Sequence, residues 1–293
     1  MRITQNLSYD AYVNDLMRRQ EAIYRLNRQM ATGHKVNSAS DNPASAHAIL
    51  TSKSLLSSID QYDKNADYGL AALSFTETAL DRAKDALTRL QELAVTAASG
   101  LSGAESRNLI KSEVDNLRDE LIHLGNSNFE GRYVFAGYKT DTAAFDASGA
   151  FQGDANTQQL KISPSGSISI GVNGGEVFRG TAGGVDILQT VADFSAALAA
   201  NDTAGVHSAI TGLENSFNQV SSSVSDIGGR VSRLSAAKDD FSAYRLEVKI
   251  KISDMEDADI TTLISDMKSN QVALEAALAS AGKVFSLNIF DYL

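Results

Sequence analysis

Six residues at seven-residue spacing, Ile59, Ala66, Leu73, Leu80, Leu87 and Ala94, constrain this chain more than any other feature. Leu55, Tyr62, Ala83, Leu90 and Ala97 form a neighbouring row. Heptad spacing lays an apolar stripe along one side of a helix, and such a stripe needs another helix to cover it. Only Gly69 interrupts the run from about residue 44 to Ser99. A helix of that length spans roughly 80 Å at 1.5 Å per residue. That exceeds the width of a compact domain of this size, so the spacing predicts a rod. Asn42-Pro43 marks its start, because Asn can cap and Pro at the first helical position forfeits no intrahelical bond.

The same spacing recurs elsewhere. Tyr9, Leu16, Ile23 and Met30 repeat every seven residues, joined by Tyr12 and Leu26, and the pattern stops at Gly33, a candidate left-handed cap. Ser102-Gly103-Ala104-Glu105 reads as a capping box. It opens a third stripe through Ile110, Val114, Leu117, Leu121 and Leu124. The short Gly100–Gly103 link predicts that this helix runs back antiparallel to the long one. Helix is expected again over about 185–200 and from Ala204, where Ile227, Leu234, Phe241, Val248 and Met255 form a seam with Val231 and Tyr244. The acidic stretch Asp254–Asp259 breaks its phase. Beyond it Ile260, Met267, Leu274 and Ala281, flanked by Ile264, Leu278 and Phe285, resume the repeat.

Between these helices the composition changes. Residues 131–184 hold eleven of the 21 glycines, with short β-type runs at 132–137, 158–162, 167–172 and 175–179. Asn173-Gly174 reads as the hairpin turn between the last two. The expected fold is therefore mainly α: a long antiparallel helical rod with terminal coiled-coil helices and a small β-rich inserted domain. The expected divisions are 1–41 (terminal helix and joint), 42–130 (helical rod), 131–184 (β-rich insertion), 185–253 (returning rod) and 254–293 (terminal helix). A short seam helix and a joint precede the rod, and a joint and a short seam helix follow it, so the first helix is expected to pack on the last. A lone pair of such helices buries little, and the ends are expected to order only when many copies assemble.

Several chemistries are excluded or disfavoured. The net charge is −10, whereas a phosphate-backbone binder is usually basic, so nucleic acid is not an expected partner. The first 35 residues lean basic through Arg2, Arg18, Arg19, Arg25, Arg28 and Lys35, which reads as a solvated helix face. Absence of cysteine removes disulfides and thiolate metal sites. No stretch is apolar enough to span a membrane, and the start has the look of no cleaved secretory signal. The four histidines, His34, His47, His123 and His207, have no ligand spacing among them. Nucleophile-elbow, zinc-protease and phosphate-loop motifs are missing, and Asp254–Asp259 lacks the spacing and glycine of a calcium loop. No catalytic, cofactor or metal residue is assigned.

The residues carry a resemblance. LNRQMATGHKVNSASDNPASA (26–46) resembles the N-terminal signature of the flagellin superfamily: a helix, an A-T-G turn and an S-D-N-P-A helix start. The likeness continues through residues 61–100 and through GNSNFEGRYVFAGYKT (125–140), and returns in 257–293. Flagellins and hook–filament junction proteins share these ends. The ending SLNIFDYL resembles the tail of the junction branch, and the glutamine-rich close of flagellins is missing.

The resemblance implies a structural component of the bacterial flagellum, not an enzyme and without cofactors. It implies export through the flagellar channel without a cleaved signal, and an extracellular ring at the junction of hook and filament. The implied partners are other copies of itself, an adjacent hook-associated junction protein, flagellin and an export chaperone. In that picture the terminal seams are polymerisation elements: Leu16, Ile23 and Met30 against Ile264, Met267, Leu274 and Leu278, with Asp41, Asn42 and Pro43 at the joint. The alternatives are a flagellin filament subunit, an adhesin-type module binding through the insertion, and a hydrolase within residues 131–200, for which the insertion is short and poor in His and Glu.

Overall fold

A computed structural model describes the backbone of residues 2–99 and 103–290 and the side chains of 9–99 and 103–283. The Gly100–Ser102 link and the last three residues of the SLNIFDYL ending lie outside the described residues. Seven helices are described: α1 (Arg2–Thr32), α2 (Pro43–Ala98), α3 (Ala104–Gly125), α4 (Gly174–Arg179), α5 (Ile187–Ala200), α6 (Thr203–Glu256) and α7 (Ile260–Phe290). Four short strands join them: β1 (Asn128–Phe129), β2 (Arg132–Tyr133), β3 (Gln159–Lys161) and β4 (Ser167–Ser169). They form two antiparallel pairs, β1 with β2 and β3 with β4.

Two compact units emerge, one from residues 59–242 and one from residues 1–58 with 243–293. In the first, the heptad row does what its spacing predicts. Ala66, Leu73, Leu80, Leu87 and Ala94 are wholly buried, with Ile59 close behind. They share one core with Ile110, Val114 and Leu121 of α3 and with Leu213, Val220, Ile227 and Leu234 of α6. Both neighbours run antiparallel to α2. Arg89 pairs with Glu113 at 2.7 Å toward one end and Phe75 stacks on Phe129 toward the other. Against α6, the Tyr62 and Phe241 rings lie 6.3 Å apart, Lys238 pairs with Asp67, and the Gln91 amide donates to the Leu213 carbonyl.

Gly69 is not an interruption but a fitting residue within α2. A β-carbon there would stand 2.9 Å from Leu160 and 3.1 Å from Leu234, so glycine lets β3 and α6 approach. Gly103 caps α3 without a side-chain bond; Ser102, the first residue of the expected capping box, lies outside the described residues. The largest departure from the sequence reading is at residues 175–179. Asn173-Gly174 is no hairpin turn. The Asn173 side chain accepts the Gly175 amide and opens helix α4, which ends at left-handed Gly180. The antiparallel pairs turn elsewhere: β1 and β2 through Glu130-Gly131, where both residues have positive φ as a tight two-residue turn requires, and β3 and β4 through residues 162–166. The insertion is fused to the helical core: Phe135, Phe145 and Phe178 are buried with rings 5.4–5.5 Å apart, edge to face.

Candidate assembly interface

The second unit holds the residues that the sequence reading singled out. α1 ends at Gly33, whose φ of +74° and bond to the Gln29 carbonyl make the expected left-handed cap. α2 begins as expected: Pro43 is its first residue and the Asn42 side chain accepts the Ser45 amide. Asp41 organises the turn between them. Its carboxylate accepts the Asn37 and Ser38 amides, and a single Arg28 nitrogen, Nη2, reaches both of its oxygens at 2.9 and 3.0 Å. The Asn37 and Ser38 amides, aided by Arg28, hold the Asp41 pKa below the ordinary carboxylate value.

The two joints are one structure, which no local pattern disclosed. His34 and Asp257 form an antiparallel bridge, with Lys35 donating its amide to the Glu256 carbonyl at 2.7 Å and Ala258 to the Gly33 carbonyl at 2.9 Å. Side chains reinforce it. Lys53 of α2 meets Glu256 at 2.7 Å, and His34 Nδ1 lies 3.1 Å from Asp257, which also accepts the Ser253 hydroxyl. Asp259 then caps α7, accepting the Thr261 and Thr262 amides. The acidic stretch thus divides its labour between a crosspiece and a helix cap. The pKa of Asp257 is lowered chiefly by Ser253 and then His34, and that of Asp259 by Thr262 and Thr261.

From this crosspiece α1 and α7 run together as a pair. On α1 the covered side follows the expected heptad from Leu16 onward: Leu16, Ile23 and Met30 are half-buried and Leu26 is buried, whereas Tyr9, the first member of the row, is exposed. On α7 the covered side is Leu263, Met267, Asn270, Leu274 and Ala281. Met267 and Leu274 are thus on the covered side, whereas Ile264 and Leu278, expected in the same packing, are 50% and 54% exposed within the single chain. With Ile260 they make a second apolar row, turned about 65° from the covered side at 100° per residue. A groove of about 930 Å³ lies along the pair, with Leu26 and Leu263 at its base and Tyr24, Arg25, Lys35 and Asp266 among its walls.

This geometry offers surfaces for packing, not a reaction centre. Among the described residues no cluster of three or more His, Asp and Glu could hold a metal ion, and no helix is long and apolar enough to cross a membrane.

Comparison with known proteins gives the same kind of answer. The bacterial flagellin N-terminal helical region matches residues 3–140, and the bacterial flagellin C-terminal helical region matches residues 210–293. Flagellar hook-associated protein 3 of Salmonella typhimurium is 25% identical, with 99% of both chains covered. A flagellin of Listeria innocua is 23% identical over 90% of this chain and 88% of its own. Among solved structures, flagellar hook-associated protein 3 of Legionella pneumophila shares the fold with a TM-score of 0.64 at 15% identity, covering 71% of this chain and 98% of that one.

Proposed function

The chain belongs to the flagellin superfamily, and from that premise we propose that it forms the junction ring between hook and filament. It is a structural flagellar protein, not an enzyme. One observation carries the reading of how it assembles. Eleven of the fourteen large apolar side chains left exposed among the described residues lie in the unit built from the two chain ends. The remaining three of these fourteen, Val95, Leu109 and Tyr138, lie in the other unit.

A soluble chain does not keep rows such as Ile260, Ile264 and Leu278 open without a partner to cover them. Fully burying each contributes on the order of 1.5–3 kcal/mol. In the proposed assembly, Leu16, Ile23, Met30, Met267 and Leu274 hold α1 against α7 within a copy. Ile264 and Leu278 then meet the neighbouring copies around the ring. Asp41, Asn42 and Pro43 fix the direction in which the chain leaves α1. The ring's outer neighbours are an adjacent hook-associated junction protein and flagellin, and an export chaperone accompanies the subunit before assembly. Full-length similarity to hook-associated protein 3, against partial coverage of the Listeria flagellin, supports the junction over the filament.

Gold-labelled electron microscopy of intact flagella with an antibody against residues 140–200 tests this. One band at the hook–filament boundary is the expected result. Label along the whole filament would make the chain a filament subunit. Flagella without label would move the function to an adhesin-type module acting through the insertion.

A further inference from the structure

Helix α6 carries two kinds of glycine. At Gly212 a β-carbon would stand 2.7 Å from Thr190, so close packing against α5 requires glycine there. At Gly228 and Gly229 a β-carbon would meet nothing within 4 Å. Packing within the chain does not explain that pair, and glycine is the weakest helix former after proline. The preceding turns are weak as well, with serine at 221, 222, 223 and 225. Ser223 and Ser225 donate their hydroxyls to the carbonyls four residues earlier, at 3.2 and 3.0 Å, an arrangement that bends helices. Glycine–serine segments are also where long helices kink. Yet α6 is continuous from Thr203 to Glu256.

The insertion grips α6 on both sides of this stretch. On one side, the Gln219 amide donates to the carbonyls of Val177 at 2.7 Å and Val185 at 2.9 Å, while its oxygen accepts the Val185 amide at 2.8 Å. Gly184 makes room, since a β-carbon there would stand 2.1 Å from the Gln219 oxygen. On the other side, Arg230 donates to the carbonyls of Ser169 at 3.3 Å and Gly171 at 3.0 Å, and Asp226 holds it at 2.5 Å. Both grips use backbone carbonyls of the insertion, so they depend on its folded shape rather than on its side chains.

We propose that residues 221–229 are a flexure in α6 and that the insertion acts as a splint across it, through Gln219 and Arg230. The insertion then sets how readily α6 bends. This is independent of where in the flagellum the protein sits.

Hydrogen–deuterium exchange on the full-length chain tests it. Replacing both grips (Gln219→Ala with Arg230→Ala) is expected to speed exchange of the amides of residues 222–233 at least tenfold. Residues 203–213 and 236–248 should keep their rates. Adding Gly228→Ala and Gly229→Ala to that variant should restore most of the protection. An unchanged rate at 222–233, equal acceleration along all of α6, or failure of the alanine pair to restore protection would each overturn the splint. If the double variant does not fold, the alanine pair in the otherwise native chain decides. It should slow exchange at 222–233 several-fold, and no slowing would reject the flexure.

Discussion

The unit at the chain ends and the unit between them use the same heptad spacing and reach opposite results. In the inner unit, the stripe on α2 is covered from two sides, by α3 and by α6, and most of its members are wholly buried. In the end unit, α1 and α7 pair with each other. Among the described residues of α1 only Leu26 is buried, and of α7 only Leu263 and Ala281. Spacing alone therefore does not say whether a seam is finished within the chain. The number of partners does. Two helices cover one narrow side of each other and leave the rest of their apolar rows exposed.

The largest expected effect is in the inner core. Leu80→Ala removes a wholly buried side chain and should lower unfolding stability by about 3 kcal/mol, since the cavity is walled by helices on two sides. Leu26→Ala, the same change in the end unit, should alter the main denaturation transition by less than about 1 kcal/mol. Equal losses would erase the distinction between the units. Limited proteolysis of the monomer should likewise cut within α1 and α7 well before α2 or α6 inside residues 59–242.

The joint lies between these extremes. Asn42→Ala loses the side-chain bond to the Ser45 amide and should cost about 1 kcal/mol in the melting of the α2 start. A smaller effect is expected in acid. Hydrogen bonds from the Ser148 side chain and then the Ala150 amide lower the pKa of Asp146 from 3.8 to about 2. A lowered carboxylate stabilises the folded state above its ordinary pKa and loses that contribution as pH falls through the folded value. Melting temperatures should thus drop between about pH 4 and pH 2, and Asp146→Asn should flatten that drop. The same slope in the variant would remove Asp146 from the account.

The smallest expected effect on the isolated chain is the most informative. Ile264→Asp sits on the exposed row, so it should change monomer stability by no more than about 0.5 kcal/mol. In the assembly it would bury an unpaired charge, a penalty of several kcal/mol, and incorporation into flagella should be abolished. Normal swimming from that variant would mean that the row stays exposed in the ring.

Much of this was legible in the residues. Periodicity is a local property, so the α2 stripe, its Asn42-Pro43 start, the Gly33 cap and the break at Asp254–Asp259 could be read directly. Residues 175–179 misled because a short run with Val and Phe fits strand and helix alike, and only the Asn173 cap and the close fit under Phe135 choose helix. The crosspiece was illegible for a different reason. It joins His34 to Asp257 across more than two hundred residues through backbone groups that every residue carries. The α7 seam is legible at Met267, Leu274 and Ala281, but not the choice between Ile264 and Leu263: that single step turns the helix by 100°, and both are apolar, so the sequence offers no preference. The residue pattern is enough to show that this chain makes long seamed helices and that its two ends match. Which row faces inward follows from the fold, because it depends on where distant backbones meet.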